Sequence, residues 1–200
     1  MRVGRLRERL RAATSESHER LHRHPGLAAA ASGAIDLSGY RALLMRLYGF
    51  HRPVDAGMGA HALLTDETPR SRLLESDLQA LGVARDQQDV LPRCATLPLL
   101  TDDAQALGAL YVVEGSALGG AAIARAVAPV LAPLEGDGCR FFSNDSGKRR
   151  GWPQLLVRLE SLSGESQEQA TIDAAVATFL AFEAWMKDWA PKTDARPFCV

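Results

Sequence analysis

Cysteine is scarce: Cys94, Cys139 and Cys199 are the only three in 200 residues. An odd number, far apart and without C-x-x-C spacing, speaks against a disulfide framework or a zinc ribbon and for a reducing cytoplasm. Net charge is missing too. The 23 Lys and Arg against 24 Asp and Glu leave −1, so no global field draws the chain to nucleic acid or to an anionic membrane. The start, MRVGRLRERLRAAT, has no apolar run for a secretory signal, and Glu8 and Glu16 argue against a transit peptide. There is no internal repeat and no low-complexity linker, β-branched residues are sparse, and no stretch alternates with period two. A strand-built fold is therefore not expected.

What is present is Ala and Leu at helical spacing. The sequence predicts an all-α, single-domain helical bundle over 1–190, with a loose tail over 191–200. A first helix over 5–24 buries Val3, Leu6, Leu10, Ala13, Ser17 and Leu21 and is stopped by Pro25-Gly26. A second over 37–62 turns Tyr40, Leu43, Leu44, Leu47, Phe50, His51 and Val54 to one side, with a kink expected at Pro53. Shorter helices are predicted over 70–81 and 85–91, broken by Gly82 and Pro92. The segment 129–151 reads as irregular. Helices over 152–162 and 167–189 follow, the last with Ile172, Val176, Phe179, Phe182, Met186 and Trp189 inward.

The stretch 107–126, LGALYVVEGSALGGAAIARA, stands apart. On a helix, Ala104, Gly108, Gly115, Gly119, Ala122 and Ala126 fall in a narrow arc bordered by Tyr111 and Val112. Thr101 or Asp102 can cap it. Each glycine costs about 0.8–1 kcal/mol relative to Ala inside a helix, so four of them need a reason. Either another helix packs almost backbone to backbone, or a flat ligand lies against the exposed peptide groups. Gly115-x-x-x-Gly119 is also the small-residue motif of membrane helices. Glu114 within the run, and an apolar length barely reaching the roughly 20 residues of a span, make that reading poor.

The first helix also carries chemistry. Arg11, Thr14, His18 and His22 lie at the edge of its apolar stripe, where a side chain reaches a pocket while the helix still packs. A helix-edge His is most simply solvated or hydrogen-bonded. His18 and His22, at i and i+4, have the spacing of a zinc pair but no companion ligands, whereas one axial His for a heme iron needs none. Nucleophile readings fare worse: Glu114-Gly-Ser-Ala-Leu-Gly119 has no strand before it, as a nucleophile elbow or phosphate loop requires. Asp102-Asp103 is helix-start charge, and Lys148, Arg149 and Arg150 are a solvated run or the edge of an anion site.

Arg11-Ala-Ala-Thr14-Ser-Glu-Ser-His18 resembles the proximal helix of heme oxygenases, and Leu110-Tyr111-Val-Val-Glu114-Gly115-Ser116-Ala-Leu-Gly119-Gly120 resembles the distal helix of their bacterial, bacteriophytochrome-associated branch. Tyr40 to Pro53, Phe141-Phe142 and Phe179-Leu-Ala-Phe182 follow in the family's order, so the resemblance runs from about Leu6 to Trp189.

The resemblance implies heme, both cofactor and substrate, between the first helix and a kinked glycine-rich helix, with His18 as the axial ligand. It implies that Gly115, Ser116, Gly119 and Gly120 shape the distal side, and that Arg11, Thr14, Tyr111, Arg150, Phe179 and Phe182 contact the macrocycle or its propionates. The family cleaves heme with O2 and reducing equivalents to biliverdin, CO and ferrous iron, the protein supplying placement and electrostatics. Expected partners are an electron donor such as a ferredoxin or flavoprotein reductase and a bacteriophytochrome receiving biliverdin; no nucleic acid or membrane is expected. Two departures stand out. Ser116 takes the place of the distal Asp of mammalian-type enzymes, and Asn144-Asp145 follow the Phe pair where relatives often place an aromatic and Gly. The alternatives are a non-catalytic heme carrier or sensor on the same fold, and a related fold acting on a thiamine-like molecule, for which nothing arranges Cys94 or Cys139 as a nucleophile.

Overall fold

A computed structural model describes residues 4–59, 61, 68–135, 137–143 and 151–190. Among them there is no strand. The helices in chain order are α1 (Arg5–His22), α2 (Pro25–Ser32), α3 (Leu37–Met58), α4 (Arg70–Ala80), α5 (Arg85–Asp89), α6 (Asp103–Ala117), α7 (Gly120–Leu131), α8 (Arg140–Ser143), α9 (Gly151–Ser161) and α10 (Glu165–Met186), with a 3-10 turn at Ala132–Leu134 after α7.

The boundaries follow local chemistry, and several differ from expectation. Pro25-Gly26 does not merely stop α1; it starts α2. Proline at the first helical position has no N–H to leave unpaired, and the His24 ring accepts the Gly26 N–H at 3.2 Å. Asp36 caps α3 by accepting the Gly39 N–H at 2.6 Å, and Asp102 caps α6 by accepting that of Gln105 at 2.9 Å. α3 continues through Pro53 and ends at Met58, short of residue 62, with Gly59 at its C-cap. The described residues of 129–143 are more helical than their prolines and glycines imply: Pro129 lies within α7, and α8 forms around the Phe pair. Asp77 of α4 sets that short helix in place, its carboxylate accepting the N–H groups of Arg140 and Phe141 at 2.7 and 2.8 Å. Burial pushes the Asp77 carboxyl up to about 6, although those two hydrogen bonds pull it down.

α10 is the central helix. It packs most extensively on α6, then on α1. Thr171, Ala174, Ala175, Thr178 and Ala181 are buried along it, so small residues make up more of its inner face than the large ones expected there. Val176, Phe182 and Trp189 are half-buried, and Trp189 lies beyond the helix end. On α1 the stripe is Leu6, Leu10, Thr14, Ser17 and Leu21; Ala13 is exposed and Thr14 takes the inward place. Thr14 can do so because its hydroxyl donates to the Leu10 carbonyl at 2.8 Å.

Three apolar clusters fill the interior. One joins α2, α3, α4, α7 and α8, and one joins α1, α6, α9 and α10. The third lies around Phe50, Val54, Cys94, Val113 and Ala181. Phe182 packs against all three. Among the described residues no single helix is long and apolar enough to cross a membrane. The α6–α7 pair passes on length and composition only when taken together, and it is bent by 46°.

Candidate functional site

The two edges of α1 face different neighbours. At 100° per residue, Arg9 and Arg20 border the buried stripe on one side; Arg7, Arg11, His18 and His22 border it on the other. The first edge is tied to α10: Arg9 pairs with Glu168 at 2.5 Å and Arg20 with Glu183 at 2.7 Å, and the Ser17 hydroxyl donates to Glu183. The second edge looks toward α6 and α9. The Arg7 guanidinium lies 6.0 Å from the centre of the Trp152 ring, that ring lies 5.6 Å from Tyr111, and Arg7 and Arg11 both act on the Tyr111 phenol. Burial raises the Tyr111 pKa, while the two guanidiniums draw it down. Two cations and two aromatic rings thus form a corner suited to a carboxylate on a flat ligand. Arg7 and Trp152 belong to that corner although the sequence pattern singled out neither.

His18 sits farther along the same edge. Its imidazole is exposed, and its Nε2 lies 3.3 Å from that of His22. Partial desolvation, and then the neighbouring His22, lower its pKa and favour the neutral ring that a metal ligand requires.

The four glycines of the α6–α7 run divide into two pairs. At Gly108 an added Cβ would overlap the Thr171 carbonyl oxygen and come within 3.0 Å of Ala174 Cβ, so this glycine lets α6 and α10 meet backbone to backbone. At Gly120 a Cβ would lie 2.8 Å from the Phe142 carbonyl oxygen, so this one admits α8. Among the described residues, at Gly115 a Cβ would make only ordinary contact with the Trp152 ring at 3.5 Å, and at Gly119 it would meet nothing nearer than the Ser116 carbonyl at 3.8 Å. Helix packing explains Gly108 and Gly120. It leaves Gly115 and Gly119 unexplained.

Those two lie where α6 ends. Ser116 and Gly119 are exposed and Gly115 is half-buried. The bend at Leu118-Gly119 separates α6 from α7. The Ser116 hydroxyl donates to the Val113 carbonyl at 2.7 Å, leaving its oxygen lone pairs to accept from water. Phe179 is buried in the cluster that contains Leu6, Leu10 and Leu21 of α1 and Leu107 and Leu110 of α6, and so lies beneath both helices. Phe182 is half-buried, with its ring 4.7 Å from that of Phe50. Thr14 is buried and bonded within α1; Arg11 is exposed. Arg150, with Lys148, Arg149, Asn144 and Asp145, lies outside the described residues. A cavity of about 80 Å³ near Leu6, Leu156 and Glu168 is lined by Arg7 but by none of His18, Tyr111, Gly115 or Gly119, and is far too small for a macrocycle.

Residues 4–188 match the family described as heme oxygenase. Among solved structures, a heme oxygenase from Leptospira interrogans superposes with a TM-score of 0.72 at 19% identity, covering 92% of this chain and 99% of that one. A likeness at that identity shows a shared fold. No curated protein matches the sequence.

Proposed function

The chain belongs to the heme oxygenase family, and from that premise we propose that it binds heme between α1 and the end of α6 and cleaves it oxidatively to biliverdin, CO and ferrous iron. The observation that carries this is the division of the glycines: Gly115 and Gly119 present bare main chain that no described element covers tightly. The residues present fit the group. An exposed, neutral-leaning imidazole suits an axial position. Unfilled glycines suit the flat face, and the Arg7–Arg11–Tyr111–Trp152 corner suits the propionates.

Heme, when bound, supplies both the macrocycle that is cut and the iron that activates O2. The chain's task is placement. His18 offers a lone pair from a fixed helix. Arg7 and Arg11 set the orientation of the ring edge by charge, and Tyr111 by a hydrogen bond. Gly115, Ser116 and Gly119 would let the α6 end lie close to the ring, and Gly120, by admitting α8, would hold that end in place. Ser116 would hold a water where mammalian-type members use a carboxylate, and Phe179, buried beneath both helices, would form the floor. The use we propose for the product is chromophore supply to a phytochrome in the cytoplasm, with a ferredoxin or flavoprotein reductase as electron donor. The likeness of Leu110–Gly120 to the phytochrome-associated branch, and the scattered cysteines, support this reading.

Hemin added to the purified protein is expected to give a Soret band that His18→Ala loses or strongly alters, and reductant with O2 is expected to convert it to a verdin. A carrier or sensor is the second reading, favoured by the serine at position 116. Stable heme binding with no product after a single turnover would establish it and sink the enzyme.

A further inference from the structure

The arrangement of His18 and His22 contains more than one ligand. They stand one turn apart on an exposed edge of α1, and their Nε2 atoms converge to 3.3 Å. Two ligands at a Zn–N length of about 2.0–2.1 Å and a tetrahedral angle are separated by roughly 3.3–3.4 Å. The pair thus already has the bite of a tetrahedral divalent ion. The rings meet at 70°, edge to face, with centroids 4.4 Å apart, and the two Nε2 atoms face each other across a hydrogen bond whose proton a metal ion would replace. Among the described residues no third His, Cys, Asp or Glu joins them. An ion held there would keep positions open to water, unlike one in the closed cage of a structural zinc.

We propose that in the heme-free protein His18 and His22 together chelate a divalent d-block cation, for which imidazole is a favoured ligand, and that this ion excludes heme by occupying His18. The exclusion rests on the reading of His18 as the axial ligand; the chelation does not. A single Nε2 lone pair cannot serve both metals. Free zinc or copper would hold the chain unloaded until it is withdrawn.

Equilibrium dialysis of the heme-free protein with Zn2+ is expected to show one ion per chain, bound at least tenfold more weakly by His22→Ala. Titration with hemin, followed by the Soret band, is expected to need about tenfold more hemin when zinc is present at nine times its own dissociation constant. In His22→Ala the same zinc concentration should shift the hemin curve by less than about twofold. Because His22 is exposed, circular dichroism serves as the check that this variant keeps its helices. Equal zinc binding by wild type and His22→Ala would overturn the site. Zinc lost in His22→Ala but without effect on hemin uptake would overturn the exclusion, and with it His18 as the axial ligand, while leaving the chelate standing.

Discussion

Glycine has the same side chain at positions 108 and 119 and opposite consequences. A methyl at Gly108 meets the Thr171 carbonyl, part of a helix backbone that cannot rotate away. Gly108→Ala is therefore expected to cost about 2–3 kcal/mol in urea unfolding, the upper part of the overpacking range. Gly119 has φ −82° and ψ −13°, ordinary for any residue, and no close neighbour among the described residues, so Gly119→Ala should stay within about 0.5 kcal/mol of wild type. Equal losses at the two positions would contradict the division. The sequence displayed this stripe of small residues but not its partition, because the partners of Gly108 and Gly120 are backbone atoms of α10 and α8, which no local spacing announces. The corner at Tyr111 was half legible for the same reason. Arg11 and Tyr111 stand in motifs, whereas Arg7 and Trp152 join them across three helices. Thr14 and Ala13 exchanged places because a buried hydroxyl can be satisfied by its own helix.

At the scale of elements, the all-helical class and the longer helices were legible from period 3.6, whereas α2 and α8 were missed, α6 and α7 were read as one kinked helix, and helix ends were not fixed. Pro25 reads as a stop, but it serves equally well as a first residue once a preceding side chain supplies a cap, which His24 does. α8 was hidden because four residues give no periodicity; it exists through Asp77. That dependence has a pH signature. The Asp77 carboxyl is raised from 3.8 to about 6 in the folded chain, so the native state holds the proton more tightly than the unfolded one. The sign follows: the stability tied to this group is present below about pH 4 and is lost as pH rises through about 6. Between pH 4.5 and 7, wild type should lose about 2 kcal/mol relative to Asp77→Asn in chemical denaturation, an amount set by the difference in protons bound. Parallel pH profiles for the two proteins would refute it.

For the molecule as a whole, the three clusters share Phe182 and are spanned by α10, so a ligand that bridges α1 and α6 acts on the entire core. Hemin at 100 times its dissociation constant would add about 2.7 kcal/mol by mass action. In a chain of this size that is a rise of roughly 5–10 °C in Tm, expected in a thermal melt of wild type and absent in His18→Ala. An equal rise in both would place hemin elsewhere.

Among the described residues, the ion pairs that leave α1 all run to α10, from Arg9 and Arg20 on its far margin. The opposite margin, which carries His18, is held among the described residues by apolar packing and the Arg7–Trp152 contact, with no ion pair. High salt should therefore weaken the α10 seam of α1 more than the margin that carries His18.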